Sequence, residues 1–110
     1  MQIVQDRTAD IDILALEGRV DSSNASEVEA ALVPLADSGG SVVVDVERLD
    51  YISSAGLRVL LVAAKRSKAV GTRLALAGLQ PAVREVFDIS GFSRLFDIHD
   101  GRPAAVAALS

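Results

Sequence analysis

The chain has 110 residues, half of them hydrophobic, which is enough apolar material for one compact core. Its net charge of −4, with three Phe, one Tyr and no Trp, argues against a surface for nucleic acid, which wants basic patches and stacking aromatics. The absence of cysteine excludes a disulfide framework and a thiolate zinc site.

Residues Met1 to Arg7 lack the basic-then-apolar order of a signal peptide. No apolar run approaches the roughly 20 residues that cross a bilayer. The longest, Val59 to Val70, is broken by Lys65, Arg66 and Lys68. A cytoplasmic protein with no direct membrane insertion is expected. Ile3–Gln5 and Ile11–Leu16 read as two strands around a polar Asp6–Asp10 turn, the second turning fully apolar as it enters a core, with Gly18 ending it. Asp21, Ser22, Ser23 and Asn24 offer N-caps for a helix that puts Val28, Ala31, Leu32 and Leu35 on one stripe. Pro34 should end or kink that helix, and Asp37–Gly40 is a turn.

Val42–Val46 is the clearest strand, β-branched and nearly continuous, as in a strand buried on both faces. The segment Asp50–Arg58 leads into a helix from about Ala55 to Val70 whose stripe is Leu57, Leu60, Leu61 and Ala64, with Gly71 as its C-terminal cap. Arg73–Ala77 reads as a strand. Pro81 opens a short helix lined by Val83, Val86 and Phe87 and stopped by Gly91. Leu95–Ile98 is a last strand and Pro103–Leu109 a last helix. The expected fold is one α/β domain over residues 1–110. Its mixed, mostly parallel sheet should have about four or five strands, with about four helices packed on it.

Two serines, Ser53 and Ser54, stand where a helix begins. Either hydroxyl could cap the helix, and the same helix terminus would favour a phosphate carried on it. On residue type alone the cap is the commoner role.

Ser53-Ser54-Ala55-Gly56-Leu57 is preceded by Leu16-Glu17-Gly18-Arg19-Val20-Asp21 and the Val42–Val46 strand, and followed by Gln80-Pro81-Ala82-Val83 and Phe87-Asp88-Ile89-Ser90-Gly91. In this order the segments resemble the anti-sigma factor antagonist family of the STAS domain class, nearly end to end. The resemblance implies a STAS-like fold and a phosphoacceptor two residues before the glycine, which is Ser54 in this chain. Ser53 stands where the family usually has aspartate, and Ala55 where it has a second hydroxyl residue. Ser53 is expected to be a cap or spacer.

A phosphoserine carries about −1.5 to −2 charge at neutral pH, which the first turn of the Ala55 helix can receive without unfolding the domain. Arg58, one turn on, could pair with it. A partner packed on this corner would instead meet a bulky dianion. The expected partner surface comprises Asp21, Ser23, Asn24, Ser53, Ser54, Ala55, Gly56, Arg58 and Val62. Asp21 matches a frequent aspartate of the family, whereas capping explains Ser23 and Asn24 about equally well. Val62, on a second apolar stripe with Val59 and Ala63, would be exposed beside Arg58.

His99 is the single histidine; carboxylates alone would have to hold a metal, and their spacing makes no cluster. Ile52-Ser53-Ser54-Ala55-Gly56 lacks the glycine two before the serine of a nucleophile elbow, and Gly39-Gly40 runs straight into a strand rather than forming a phosphate loop. No catalysis and no cofactor are expected. The resemblance implies a partner switch, and a monomer is expected. Unphosphorylated, it binds an anti-sigma factor with serine kinase activity; phosphorylation of Ser54 ends the binding, and a serine phosphatase of the metal-dependent type resets it. The alternative is a STAS structural subunit of a membrane transport or lipid-trafficking complex that needs no phosphate.

Overall fold

A computed structural model describes all 110 residues. The chain opens with a hairpin of β1 (Gln2–Thr8) and β2 (Ile11–Val20), paired antiparallel from Gln2 opposite Glu17 to Thr8 opposite Ile11. α1 (Ala25–Asp37) follows, then β3 (Val42–Asp45), β4 (Leu49–Ile52) and α2 (Ser54–Ala69). β5 (Leu74–Ala77), α3 (Pro81–Ile89), a single 3-10 turn at Phe92–Leu95, β6 (Asp97–His99) and α4 (Arg102–Leu109) complete it.

The strands form one mixed sheet in the order β1-β2-β3-β5-β6, with β4 also beside β2. Every pairing except that of β1 with β2 is parallel. The valines of β3 show why its sequence is nearly continuous. Val42 and Val44 enter the larger core with Leu14, Leu32, Leu60, Leu76 and Phe87, under α1, α2 and α3. Val43 points the other way, joining Ile11, Ile13, Ala75, Ala77 and Ala105 beneath α4. A strand covered on both faces selects apolar side chains, and the one polar residue of β3, Asp45 at its end, is buried and paired with Arg102 at 2.8 Å.

The sheet has six strands, one beyond the expected range, and the unforeseen one is β4. β2 is ten residues long, and β3 pairs only with Asp12–Ala15. After a short turn the chain returns to the same edge, where Gly18, Arg19 and Val20 lie opposite Leu49, Tyr51 and Ile52. Gly18 therefore does not end β2. It sits at φ +95° where the register shifts, a left-handed bulge that lets the strand continue.

Pro34 does not end α1, which runs on to Asp37. The buried stripe of α2 comprises Leu57, Val59, Leu60 and Ala63, while Leu61 and Ala64 are only half-buried. Gly71, at φ +80°, follows the last turn of α2 as expected, its N–H donating to the Lys68 carbonyl. The last strand is displaced from Leu95–Ile98 to Asp97–His99, because Phe92–Leu95 coils into the 3-10 turn and brings Phe96 edge-on to Phe87. No helix is long and apolar enough to cross a membrane.

Candidate functional site

The parallel strands β2 and β4 end together, with Val20 opposite Ile52. The Ser53 N–H donates to the Val20 carbonyl at 2.9 Å, so the chain segments beginning at Asp21 and Ser53 leave the sheet side by side. One leads into α1 and the other into α2. The Asp21–Asn24 loop and the start of α2 thus form one corner.

Within the loop, the Asp21 carboxylate accepts from the Ser23 hydroxyl at 2.5 Å and from the Ser23 N–H at 2.9 Å. The Asn24 side chain accepts from the Asp21 N–H and donates to the Arg19 carbonyl, both at 2.9 Å. Asn24 stands at the N-cap position of α1, yet its side chain folds back on the loop instead of capping the helix. The Ser23 hydroxyl, then its N–H, hold the Asp21 carboxyl below the usual aspartate range, with the Arg19 charge adding to them.

At α2 the two serines are placed differently. Ser53 is extended and takes the N-cap, its Oγ accepting from the Gly56 N–H at 3.5 Å. Ser54 is the first helical residue, exposed, and its hydroxyl makes no hydrogen bond within the chain. The first turn of this 16-residue helix carries no acidic residue, so no carboxylate offsets the positive end of its dipole.

Gly56 is buried, and a Cβ there would lie 2.7 Å from Ile52 Cγ1 and 2.8 Å from Val20 Cγ1. It contributes close packing of α2 onto the strand ends rather than surface. Ala55, Arg58 and Val62 line a groove of about 330 Å³ between α1 and α2, together with Ala25, Ser26, Glu29 and Val59.

The corner also holds residues that pattern reading passed over. The Arg19 guanidinium lies 4.3 Å from the centre of the Tyr51 ring, on exposed neighbouring positions of β2 and β4. Only the pairing of β4 with β2 makes these two neighbours. Ser26 and Glu29 complete the groove, and the sole cue to them was their place at the start of a helix. A roomier cavity of about 480 Å³ lies by the N-terminus of α4, among Glu17, Asp45, Glu47, Arg48 and Arg102. There Arg102 already pairs with the buried Asp45 at 2.8 Å and with Asp6 at 3.3 Å. No group of three His, Cys, Asp or Glu side chains is placed to hold a metal ion.

The sequence profile of the STAS domain matches residues 2–105. The chain is 48% identical over 109 residues to BtrV of Bordetella bronchiseptica, a protein named as an anti-sigma factor antagonist, covering 98% of this chain and 94% of the other. Among solved structures, one from Thermotoga maritima named for the same role superposes with a TM-score of 0.88 at 17% identity, over 97% of this chain and 93% of that one. Bacillus SpoIIAA in its phosphorylated form superposes with a TM-score of 0.76 at 20% identity, over 99% and 100%. The chain belongs to the anti-sigma factor antagonist family of STAS domains.

Proposed function

We propose that this protein is a phosphorylation-controlled partner switch. In its unmodified form it binds an anti-sigma factor with serine kinase activity, through the corner made by Asp21, Ser23 and Asn24 and the start of α2. That kinase phosphorylates Ser54, which ends the binding, and a metal-dependent serine phosphatase restores the hydroxyl. The chain itself performs no catalysis and works as a cytoplasmic monomer.

The observation that carries this reading is the division of labour between the serines. Ser53 supplies the cap, so the exposed Ser54 hydroxyl has no structural duty and is open to a kinase. A phosphate there would meet the free N–H groups of the first turn, which can accept its charge with α2 intact. The existence of a phosphorylated form of SpoIIAA, a protein of the same fold, supports the same reading.

The test uses a serine kinase from the same genome, with ATP and magnesium. Mass spectrometry should find one phosphate, on Ser54. Ser54→Ala should bind the kinase as the parent does and resist modification. Ser54→Asp should bind at least about tenfold more weakly, as expected when a charge is desolvated opposite a fitted surface. Equal binding by the two variants would refute the switch.

A further inference from the structure

The groove between α1 and α2 opens at the Ser54 end of the pair. At the other end, Arg66 and Asp37 close the seam with an ion pair at 3.3 Å. Its lining is apolar at Ala25, Ala55, Val59 and Val62, with a charge on each wall, Glu29 on α1 and Arg58 on α2. These opposite charges do not meet, and neither forms an ion pair with any other residue. An apolar slot flanked by an unpaired acid and an unpaired base suits a partner segment of complementary order. That segment would place an apolar side chain in the slot, a carboxylate on Arg58 and a basic group near Glu29.

Arg58 has a second possible partner on its own helix. It lies four residues after Ser54, on the same face and about 6 Å further along the axis. Helical side chains lean toward the N-terminus, so the Arg58 guanidinium can reach back over the first turn. A phosphate on Ser54 would be within its reach, as a dianion tethered to the same helix. A tethered dianion outcompetes a single carboxylate arriving from another molecule.

We propose that the α1–α2 groove seats an apolar side chain of the kinase partner with an adjoining carboxylate on Arg58, and that phosphorylated Ser54 takes Arg58 away from that carboxylate. The inference rests on the partner-switch reading. One modification then acts twice, removing an attractive contact and setting a negative charge before the partner's acid.

Phosphoserine installed at position 54 during translation tests the intramolecular half without any kinase. By ³¹P NMR, the phosphate of the parent should lose its second proton at lower pH than in Arg58→Ala, with Arg58→Lys in between. For the intermolecular half, unmodified Arg58→Ala should bind the kinase about tenfold more weakly than the parent, the size of one charged hydrogen bond. Ser26→Phe, which fills the groove from an exposed wall position, should weaken binding as well. Unchanged melting temperatures would show that these surface variants are folded.

The inference is overturned if Arg58→Ala binds the kinase as tightly as the parent. It is equally overturned if the phosphate titrates identically with and without Arg58. A parent protein that binds no kinase, or a Ser54→Asp variant that binds like Ser54→Ala, would instead remove the switch itself, whatever Arg58 does.

Discussion

At the start of α2 two adjacent hydroxyls differ: Ser53 caps the helix, and Ser54 makes no hydrogen bond within the chain. The Ser53 cap is long at 3.5 Å, so its contribution belongs at the weak end of the range for serine caps. Ser53→Ala should cost about 0.5–1 kcal/mol in urea unfolding. Ser54→Ala, with no bond to lose, should stay within about 0.5 kcal/mol of the parent. The reverse order would make Ser54 the cap and take away the reason to regard its hydroxyl as free. Asp21 gives the corner a pH dependence. Its ionised form accepts both Ser23 bonds, so its pKa is lower in the folded state than in the unfolded chain. The stability this adds is present above the unfolded aspartate pKa and is lost as pH falls through the lower folded value. Carboxyl NMR should show Asp21 titrating below the ordinary aspartate range, and Ser23→Ala should move its midpoint up. An unchanged midpoint in that variant would show that the hydroxyl is not the cause.

Away from the corner, at the opposite end of β2, one turn carries backbone strain. The β1–β2 hairpin turns on Ala9 and Asp10, both at positive φ, 52° and 63°. A two-residue turn of that hand is favoured because it matches strand twist, but alanine pays the steric cost of a left-handed backbone. Ala9→Asn with Asp10→Gly should therefore stabilise the protein by about 1 kcal/mol, read as a higher urea midpoint with an unchanged slope. The same hairpin shows how far the sequence was legible. Both its strands are legible in part, since Ile3–Gln5 and Ile11–Leu16 lie in β1 and β2. Asp6–Thr8, polar enough to look like turn, is strand opposite Ile11–Ile13, and the turn is only Ala9 and Asp10. What pattern alone could not reveal was pairing. β4 has only Leu49 and Ile52 buried, with Asp50 and Tyr51 outside, so its four residues show no strand pattern. It exists because β2 outruns β3 and offers an unpaired edge. Gly18 is ambiguous in sequence for the same reason, since a bulge and a strand end both call for glycine. Pro34 sits on the exposed side of α1, and packing of Val28, Leu32 and Ala36 holds the helix together across the lost backbone bond. The candidate site was legible where chain neighbours form it, at Ser53, Ser54 and Arg58. It was not where two elements meet, at Arg19 with Tyr51 and at Ser26 and Glu29 across the groove.

At the scale of the whole molecule, the sheet separates a face that carries α1, α2, α3 and the larger core from a face with a smaller core beneath α4. α1 and α2 lie on one face with the candidate corner at their N-termini, and α4 covers part of the other. On that second face Arg102, at the first turn of α4, ties the helix to β3 through Asp45 and to β1 through Asp6. Asp45 is only 7% exposed, so losing its cation would leave a nearly buried carboxylate with one remaining bond, from the Glu47 N–H. Removing one member of a buried pair costs about 3–5 kcal/mol, but the Arg102 side chain is itself 33% exposed and water would screen part of the loss. Arg102→Ala should therefore destabilise the protein by about 2 kcal/mol, with the slope of urea unfolding unchanged. Arg102 touches neither the Asp21 loop nor the α1–α2 groove, so the folded fraction should bind the kinase with the parent's affinity and accept phosphate on Ser54 at the parent's rate. A loss of binding beyond the loss of folded protein would mean that the two faces are coupled through the strands. The small change in backbone needed for that would have to pass along β2, whose first half lies over the Arg102 clasp and whose last residue adjoins Ser53.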